Sequence, residues 1–275
     1  VPSKTLNIAL AGTGVGKSLF MCHVASSYLT QGMNVLYITL EMAEERIAER
    51  IDANLLDVSM EDLHVMPKDL YDNKMNKIQA KTKGKLIIKE YPTASAHSGH
   101  FRALLNELSL KKSFKPDAIF IDYLNICSSS RFKGGNISSY FYVKAIAEEL
   151  RGLAVEFDVP IFSATQTTRT GYVSTDIGLE DTSESFGLPA TADFMFALIS
   201  NEALEQLGQM KVKQLKNRYN DPSVNRAFIV GVDRAKMRLY DVENNAQNIV
   251  DSGQKQEDNY PKPEDAYSKF SDFKI

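Results

Sequence analysis

Residues Ala11-Gly12-Thr13-Gly14-Val15-Gly16-Lys17-Ser18 stand between an apolar run of strand length, Leu6 to Ala11, and a run of helical period, Leu19 to Leu29. Strand, glycine-rich turn, Lys-Ser and helix in that order restrict the fold more than any other feature of the chain. Three glycines let successive backbone N–H groups turn inward around phosphate oxygens, and the helix that follows offers the positive end of its dipole to the same anion. In that arrangement Gly12, Thr13, Gly14, Val15 and Gly16 form the cradle. Lys17 reaches the β- and γ-phosphates of ATP, and Ser18 is a ligand of Mg2+. Ala11 occupies a first position where glycine is usual, a mild departure because that position needs a small residue more than a positive φ. The competing reading is a turn that merely joins strand to helix.

The rest of the pattern fits an α/β chain. Apolar runs at Leu6 to Ala11, Asn34 to Leu40, Lys85 to Glu90, Ala118 to Asp122 and Val159 to Ala164 alternate with helical stretches, the signature of a mostly parallel sheet flanked by helices. The clearest helix is Ser138 to Phe157, where Val143, Ile146, Ala147, Leu150, Ala154 and Phe157 recur at three and four residues. Ser59 to Lys83 reads as a polar helical excursion. Beyond Ala192 to Ile199, the runs Met210 to Leu215, Arg226 to Val232 and Met237 to Val242 predict an antiparallel C-terminal extension, with Asp233 to Lys236 as a turn.

Composition bounds the classes. Of 275 residues, 43% are hydrophobic and 24% charged, the usage of an ordinary globular chain. Residues 1–243 are expected to form one domain. The polar stretch 244–275 is expected to be a solvated tail outside the core. No apolar run approaches the ~18 residues of a membrane span. No secretory leader is evident, and the two cysteines, Cys22 and Cys127, lie in apolar segments. A cytoplasmic location is the expectation, with no membrane partner. Starting at Val1 and entering a strand within a few residues, the chain reads as a segment of a longer protein. The net charge of −3 argues neither for nor against a nucleic-acid partner.

Three polar residues end apolar strands. Asp122 closes Ala118-Ile119-Phe120-Ile121, where an acid is costly to bury without a cation or donor, so it is a candidate Mg2+ ligand at a neighbouring strand end. The alternative reading is an Asp that caps the following loop. Glu41 follows Tyr37-Ile38-Thr39-Leu40 and is either a group that orients an attacking water or an acid favoured by the next helix dipole. Gln166 closes Ile161 to Thr165, at the strand end where open α/β sheets place ligands.

Tyr37-Ile38-Thr39-Leu40-Glu41-Met42, Ile121-Asp122-Tyr123-Leu124 and Thr165-Gln166 together resemble the RecA-like P-loop NTPase motor domain of the DnaB family of replicative helicases. Glu41-Met42-Ala43-Glu44-Glu45, Ile51-Asp52-Ala53-Asn54, Lys144 to Arg151 and Gly187 to Phe194 resemble the wording of such helicases in T-even type phages. The likeness covers roughly Leu6 to Val242. It implies that Glu41 activates water, on a strand expected to adjoin the phosphate-loop strand, and that Gln166 senses the γ-phosphate. It further implies that Lys216 and Arg218, in Gln214-Leu215-Lys216-Asn217-Arg218-Tyr219, enter a neighbour's ATP site, Arg218 as the finger. The working form it implies is a homo-hexameric ring around single-stranded DNA that moves 5′ to 3′, unwinds duplex at the replication fork, and works with a primase and a helicase loader.

The same resemblance implies that DNA is gripped by loops after the fourth and fifth strands. Arg131 and Lys133 lie in the first and Arg169 in the second, which is otherwise acidic at Asp176, Glu180, Asp181 and Glu184. A merely solvated loop remains the alternative for the first two. His97 and His100 lack further ligands at metal spacing and read as surface histidines. A recombinase ATPase forming filaments on DNA and a small-molecule phosphotransferase are the rival classes. The basic pair and the Thr39-Leu40-Glu41-Met42 wording disfavour the former.

Overall fold

A computed structural model describes residues 1–132, 137–167, 177–179, 187–221 and 224–243. A nine-stranded sheet runs through it in the order β3-β2-β4-β5-β1-β6-β7-β8-β9. The strands are β1 (Leu6–Ala11), β2 (Val35–Thr39), β3 (Leu86–Glu90), β4 (Ala118–Asp122), β5 (Ile161–Gln166), β6 (Phe194–Ile199), β7 (Gln209–Asn217), β8 (Ala227–Asp233) and β9 (Arg238–Asp241). From β3 to β6 the pairings are parallel, and from β6 to β9 they are antiparallel. The expected α/β class with a parallel core and an antiparallel extension is the architecture found.

The central strands β1, β2, β4 and β5 are buried on both faces because helices cover both, while the edge strand β3 stays partly exposed. On one face, α1 (Lys17–Thr30) and α2 (Glu44–Leu56) pack through Met21, Cys22, Ala25, Ile47 and Ile51 onto Tyr37, Phe120 and Phe162. On the other, α5 (Ser98–Lys112) and α6 (Ser139–Phe157) pack through Phe101, Leu105, Val143, Ile146, Leu150 and Leu153 onto Leu6, Ile8, Leu36 and Ile119. Each fully buried Leu, Ile, Val, Phe or Met among them contributes about 1.5–3 kcal/mol. The three-and-four spacing of the α6 residues is what turns one stripe of that helix to the sheet. Short helices α7 (Gly187–Thr191) and α8 (Glu202–Gln206) flank β6.

The polar excursion is helical, as expected, and is divided into two helices, α3 (Met60–Val65) and α4 (Lys68–Lys81). Pro67 divides them: it forces Met66 out of helical geometry, and Met66 is extended at φ −66°, ψ 128°. Neither helix has a buried residue. Among the described residues no helix is long and apolar enough to cross a membrane, and no three His, Cys, Asp or Glu side chains gather in a metal-binding group. His97 and His100 instead cap α5: His97 Nδ1 accepts from the Gly99 N–H at 3.0 Å and His100 Nδ1 from the His97 N–H at 3.3 Å. Residues 244–275, assigned above to a tail, lie outside the described residues.

Candidate nucleotide site

The turn after β1 has the backbone that its glycines allow. Gly14 and Gly16 sit at φ 77° and 128°, which side-chain-bearing residues rarely adopt. A Cβ on Gly16 would also lie 3.3 Å from Met210 Cε, so the turn is closed around this residue from below. Lys17 begins α1, and its Nζ donates to the Gly12 carbonyl at 3.2 Å and lies 5.9 Å from the centre of the Tyr123 ring. Burial lowers the pKa of the Lys17 ammonium, and the nearby carboxylates of Glu41 and Asp122 pull it back up. The lysine and both acids are therefore in one electrostatic neighbourhood.

The strand order corrects one expectation. β2 pairs with β3 and β4, and both β4 and β5 stand between it and β1, so Glu41 does not end a strand adjoining the phosphate-loop strand. Asp122, on β4, is likewise one strand removed, with β5 between. The acids still reach the turn because the crossover from β1 to β2 carries α1 back over β4 and β5. The two acids do come from mutually adjacent strands, Thr39 being in register with Asp122. Gln166 ends β5, the strand beside β1, and is paired with Ala11 at the mouth of the turn.

Hydrogen bonds fix the Glu41 turn. The Thr39 hydroxyl donates to the Met42 carbonyl at 2.8 Å and accepts from the Met42 N–H at 3.1 Å. The Leu40 N–H donates to the Asp122 carbonyl at 2.9 Å, and the Thr93 hydroxyl donates to the Leu40 carbonyl at 2.7 Å. Glu41 itself is exposed. A cleft of about 310 Å³ opens between Lys17, Ser18, Glu41, Gln166, Arg50 and Arg234. Across it, Gln166 Nε2 donates to the Tyr123 hydroxyl at 3.2 Å.

Asp122 is 1% exposed. The Tyr37 hydroxyl donates to its Oδ2 at 2.9 Å, while Oδ1 has no hydrogen-bond partner among the described residues. Burial raises the Asp122 pKa, against the pull of Tyr37, Ser18, Arg50 and Lys17. A buried carboxylate oxygen without a donor, with the Ser18 hydroxyl beside it, is the hard oxygen set that Mg2+ takes. The residues fit that ion.

Arg50, Arg234, Tyr37 and Tyr123 were not legible as site residues. Arg50 had a signal: on α2 it follows buried Ile47 by three residues and so shares the inward stripe. Arg234 had none, because the β8–β9 turn brings it to the Val15 carbonyl, 3.4 Å away, across 219 residues of sequence.

Lys216 and Arg218 lie elsewhere. β7 runs antiparallel to β6, Asn217 opposite Phe194, and Phe194 is in turn level with Asn7 near the start of β1. The pair is thus a full strand from the turn, about 20 Å for six residues. Lys216 Nζ donates to the Pro189 and Ala190 carbonyls at 2.6 and 3.3 Å. Arg218 pairs with Asp193 at 3.1 Å and donates to the Ala190 carbonyl at 3.3 Å. Arg131 is ion-paired with Glu148, and Lys133 and Arg169 lie outside the described residues.

Comparison with known proteins identifies the family. The DnaB-like helicase C terminal domain family matches residues 2–235. The DnaB-like replicative helicase of Enterobacteria phage T4 is 48% identical over 243 residues, 87% of this chain and 51% of that protein. The replicative DNA helicase DnaB of Helicobacter pylori is 28% identical over 199 residues, 70% of this chain and 39% of the relative. The chain therefore spans about half or less of the curated relatives it matches. Among solved structures, one described as an ATPase domain superposes with TM-score 0.73 at 16% identity, over 88% of this chain and 86% of that one. A DnaB-like replicative helicase described with its interactions with primase superposes with TM-score 0.72 at 17% identity, over 88% and 58% of the two chains. Those two likenesses establish the fold. With the family match extending over nearly all of the sheet and the phosphate turn, the chain belongs to the DnaB-like helicase C-terminal domain family.

Proposed function

We propose that residues 1–243 are the motor domain of an ATP-driven replicative helicase that translocates on single-stranded DNA, 5′ to 3′, and separates the duplex ahead of it. The observation that carries this reading is that Lys17, Ser18, Glu41 and Gln166 line one cleft, with the buried Asp122 carboxylate in electrostatic reach of Lys17, although the five come from four separate strand ends. The turn and Lys17 bind and orient the phosphates of ATP. Ser18 and Asp122 would hold Mg2+, which neutralises charge on the β- and γ-phosphate oxygens. Glu41, exposed on a turn held from both sides, accepts a proton from water or aligns it for attack. Gln166 donates towards the terminal phosphate and, through its bond with the Tyr123 hydroxyl, ties that contact to the segment after β4.

Arg218 and Lys216 are the trans-acting cations in this proposal. Their position a full strand from the turn supports it, because a cation there cannot serve its own nucleotide. Hydrolysis then depends on a neighbour in a head-to-tail homo-hexamer. Arg131, Lys133 and Arg169 contact the DNA backbone, and a primase and a loader act on the assembled ring. Residues 244–275 form a tether beyond the motor.

ATPase rate measured against protein concentration, with and without single-stranded DNA, tests the proposal. The rate per chain should rise steeply with concentration and again with DNA. A high rate independent of both would contradict it. The recombinase alternative finds no support in the DnaB-like relatives.

A further inference from the structure

The cleft has a second tier beneath it. Tyr37 is a large, fully buried side chain in the middle of β2. It faces Phe120 in the β2–β4 register, and their rings stack at 5.9 Å with 7° between planes. Residues two apart on a strand share a face, so the Tyr37 hydroxyl reaches past Phe120 to Asp122, the diagonal neighbour, and donates to Oδ2 at 2.9 Å. On the hydroxyl's other side the Cys22 thiol of α1 approaches to 4.0 Å. A short polar chain thus runs from α1 through β2 to the acid on β4, inside a core that is otherwise Phe, Ile, Leu, Val, Met and Ala.

A carboxylate can turn either oxygen outward. At Asp122 one oxygen is occupied by the buried hydroxyl and the other is left without a partner. An apolar residue at position 37 would fill the same space but leave both oxygens buried and unpaired, and nothing on β2 would set the plane of the carboxylate. Metal sites are commonly held this way, by an outer group that orients the ligating one.

We propose that Tyr37 is a positioning residue for the metal-binding carboxylate: its hydroxyl holds Asp122 Oδ2 so that Oδ1 is presented to Mg2+. This rests on the nucleotide and Mg2+ reading given above, and it assigns to a buried core tyrosine a part in magnesium affinity.

The test is made on the full-length protein by titrating a fluorescent ATP analogue in EDTA and at a series of Mg2+ concentrations. Tyr37→Phe removes one oxygen and keeps the ring stack. Affinity in EDTA should stay within about twofold of the parent, while the Mg2+ concentration for half-maximal tightening should rise about tenfold. Asp122→Asn is the reference. If it leaves the Mg2+ dependence intact, the metal reading itself fails. If Asp122→Asn abolishes that dependence and a folded Tyr37→Phe protein keeps it unchanged, the role of Tyr37 is overturned. Should Tyr37→Phe not fold, 3-fluorotyrosine placed at position 37 reports directly. Its 19F resonance should move when Mg2+ is added to the nucleotide complex, and a resonance that does not move overturns the proposal.

Discussion

Arg218 is bound twice to one residue: its guanidinium pairs with the Asp193 carboxylate at 3.1 Å and its backbone N–H donates to the Asp193 carbonyl at 3.0 Å. Asp193 is fully buried and also takes Arg151, at 3.0 Å, and the Leu6 N–H, at 3.0 Å. The residue assigned to act on a neighbour is therefore anchored at the root of its own sheet, where β1 and β6 begin. In the trans-acting role proposed above, Arg218 would be delivered as part of a rigid body when subunits meet.

Arg218→Ala should leave the nucleotide affinity of its own subunit unchanged and lower ring ATPase by about 10³-fold, the low end of what such cations supply. Mixed with parent protein, the variant should poison activity more than in proportion to its share. Steady-state ATPase at defined mixing ratios checks both outcomes. A purely proportional loss would place Arg218 outside the catalytic arrangement.

Asp193→Asn should destabilise the chain by about 1–3 kcal/mol, because two half-exposed guanidinium groups and the Leu6 N–H lose a charged acceptor. Urea unfolding followed by circular dichroism measures it. A change below about 1 kcal/mol would show that Arg151 and Arg218 find other partners.

Glu149 ties α6 to the segment after β4. Its carboxylate accepts from the Ser98 hydroxyl at 2.7 Å, the Ser129 hydroxyl at 2.6 Å and the Ser130 N–H at 3.0 Å. Burial pushes its pKa up, but the bonds from Ser129, Ser130 and Ser98 outweigh this and leave it below its ordinary 4.5. A carboxylate with a depressed folded-state pKa contributes stability above its unfolded value, lost as pH falls through the folded one. Glu149→Gln should therefore cost about 2 kcal/mol at neutral pH and less below pH 4.5. Unfolding curves across that range test the slope. An equal cost at every pH would contradict the assignment.

Cys22 and Cys127 are buried, and burial pushes both thiols up, Cys22 to about 12. Neither should react with maleimide in the native protein at neutral pH, while both react in denaturant. Mass spectrometry after timed labelling shows this, and rapid native labelling of either would contradict the packing around it.

Most of the architecture was legible because periodicity is a local property. Alternation and three-and-four spacing fix which face of an element is apolar, and the nine strands lie where those patterns fall. The phosphate turn was legible for the same reason: Gly12 to Ser18 is one continuous segment whose neighbours are known. What was not legible depends on crossovers. Nothing near Glu41 says that two strands separate it from β1, and nothing near Arg234 says that a late hairpin returns to Val15. Tyr37 was hidden for another reason. On a strand buried on both faces a tyrosine reads as core, and only the register with Phe120 and Asp122 gives its hydroxyl a purpose.

The central claim is that a nucleoside triphosphate binds at the turn around Lys17 with the acids of β2 and β4 facing its terminal phosphate. The most direct measurement is titration of a fluorescent ATP analogue, with Mg2+, onto the parent, Lys17→Ala and Glu41→Gln proteins, each followed by a hydrolysis assay. Lys17→Ala should lose binding by a hundredfold or more, and Glu41→Gln should bind as the parent does while hydrolysing at least about 100-fold more slowly. Undiminished binding by Lys17→Ala, or undiminished hydrolysis by Glu41→Gln, would contradict the account.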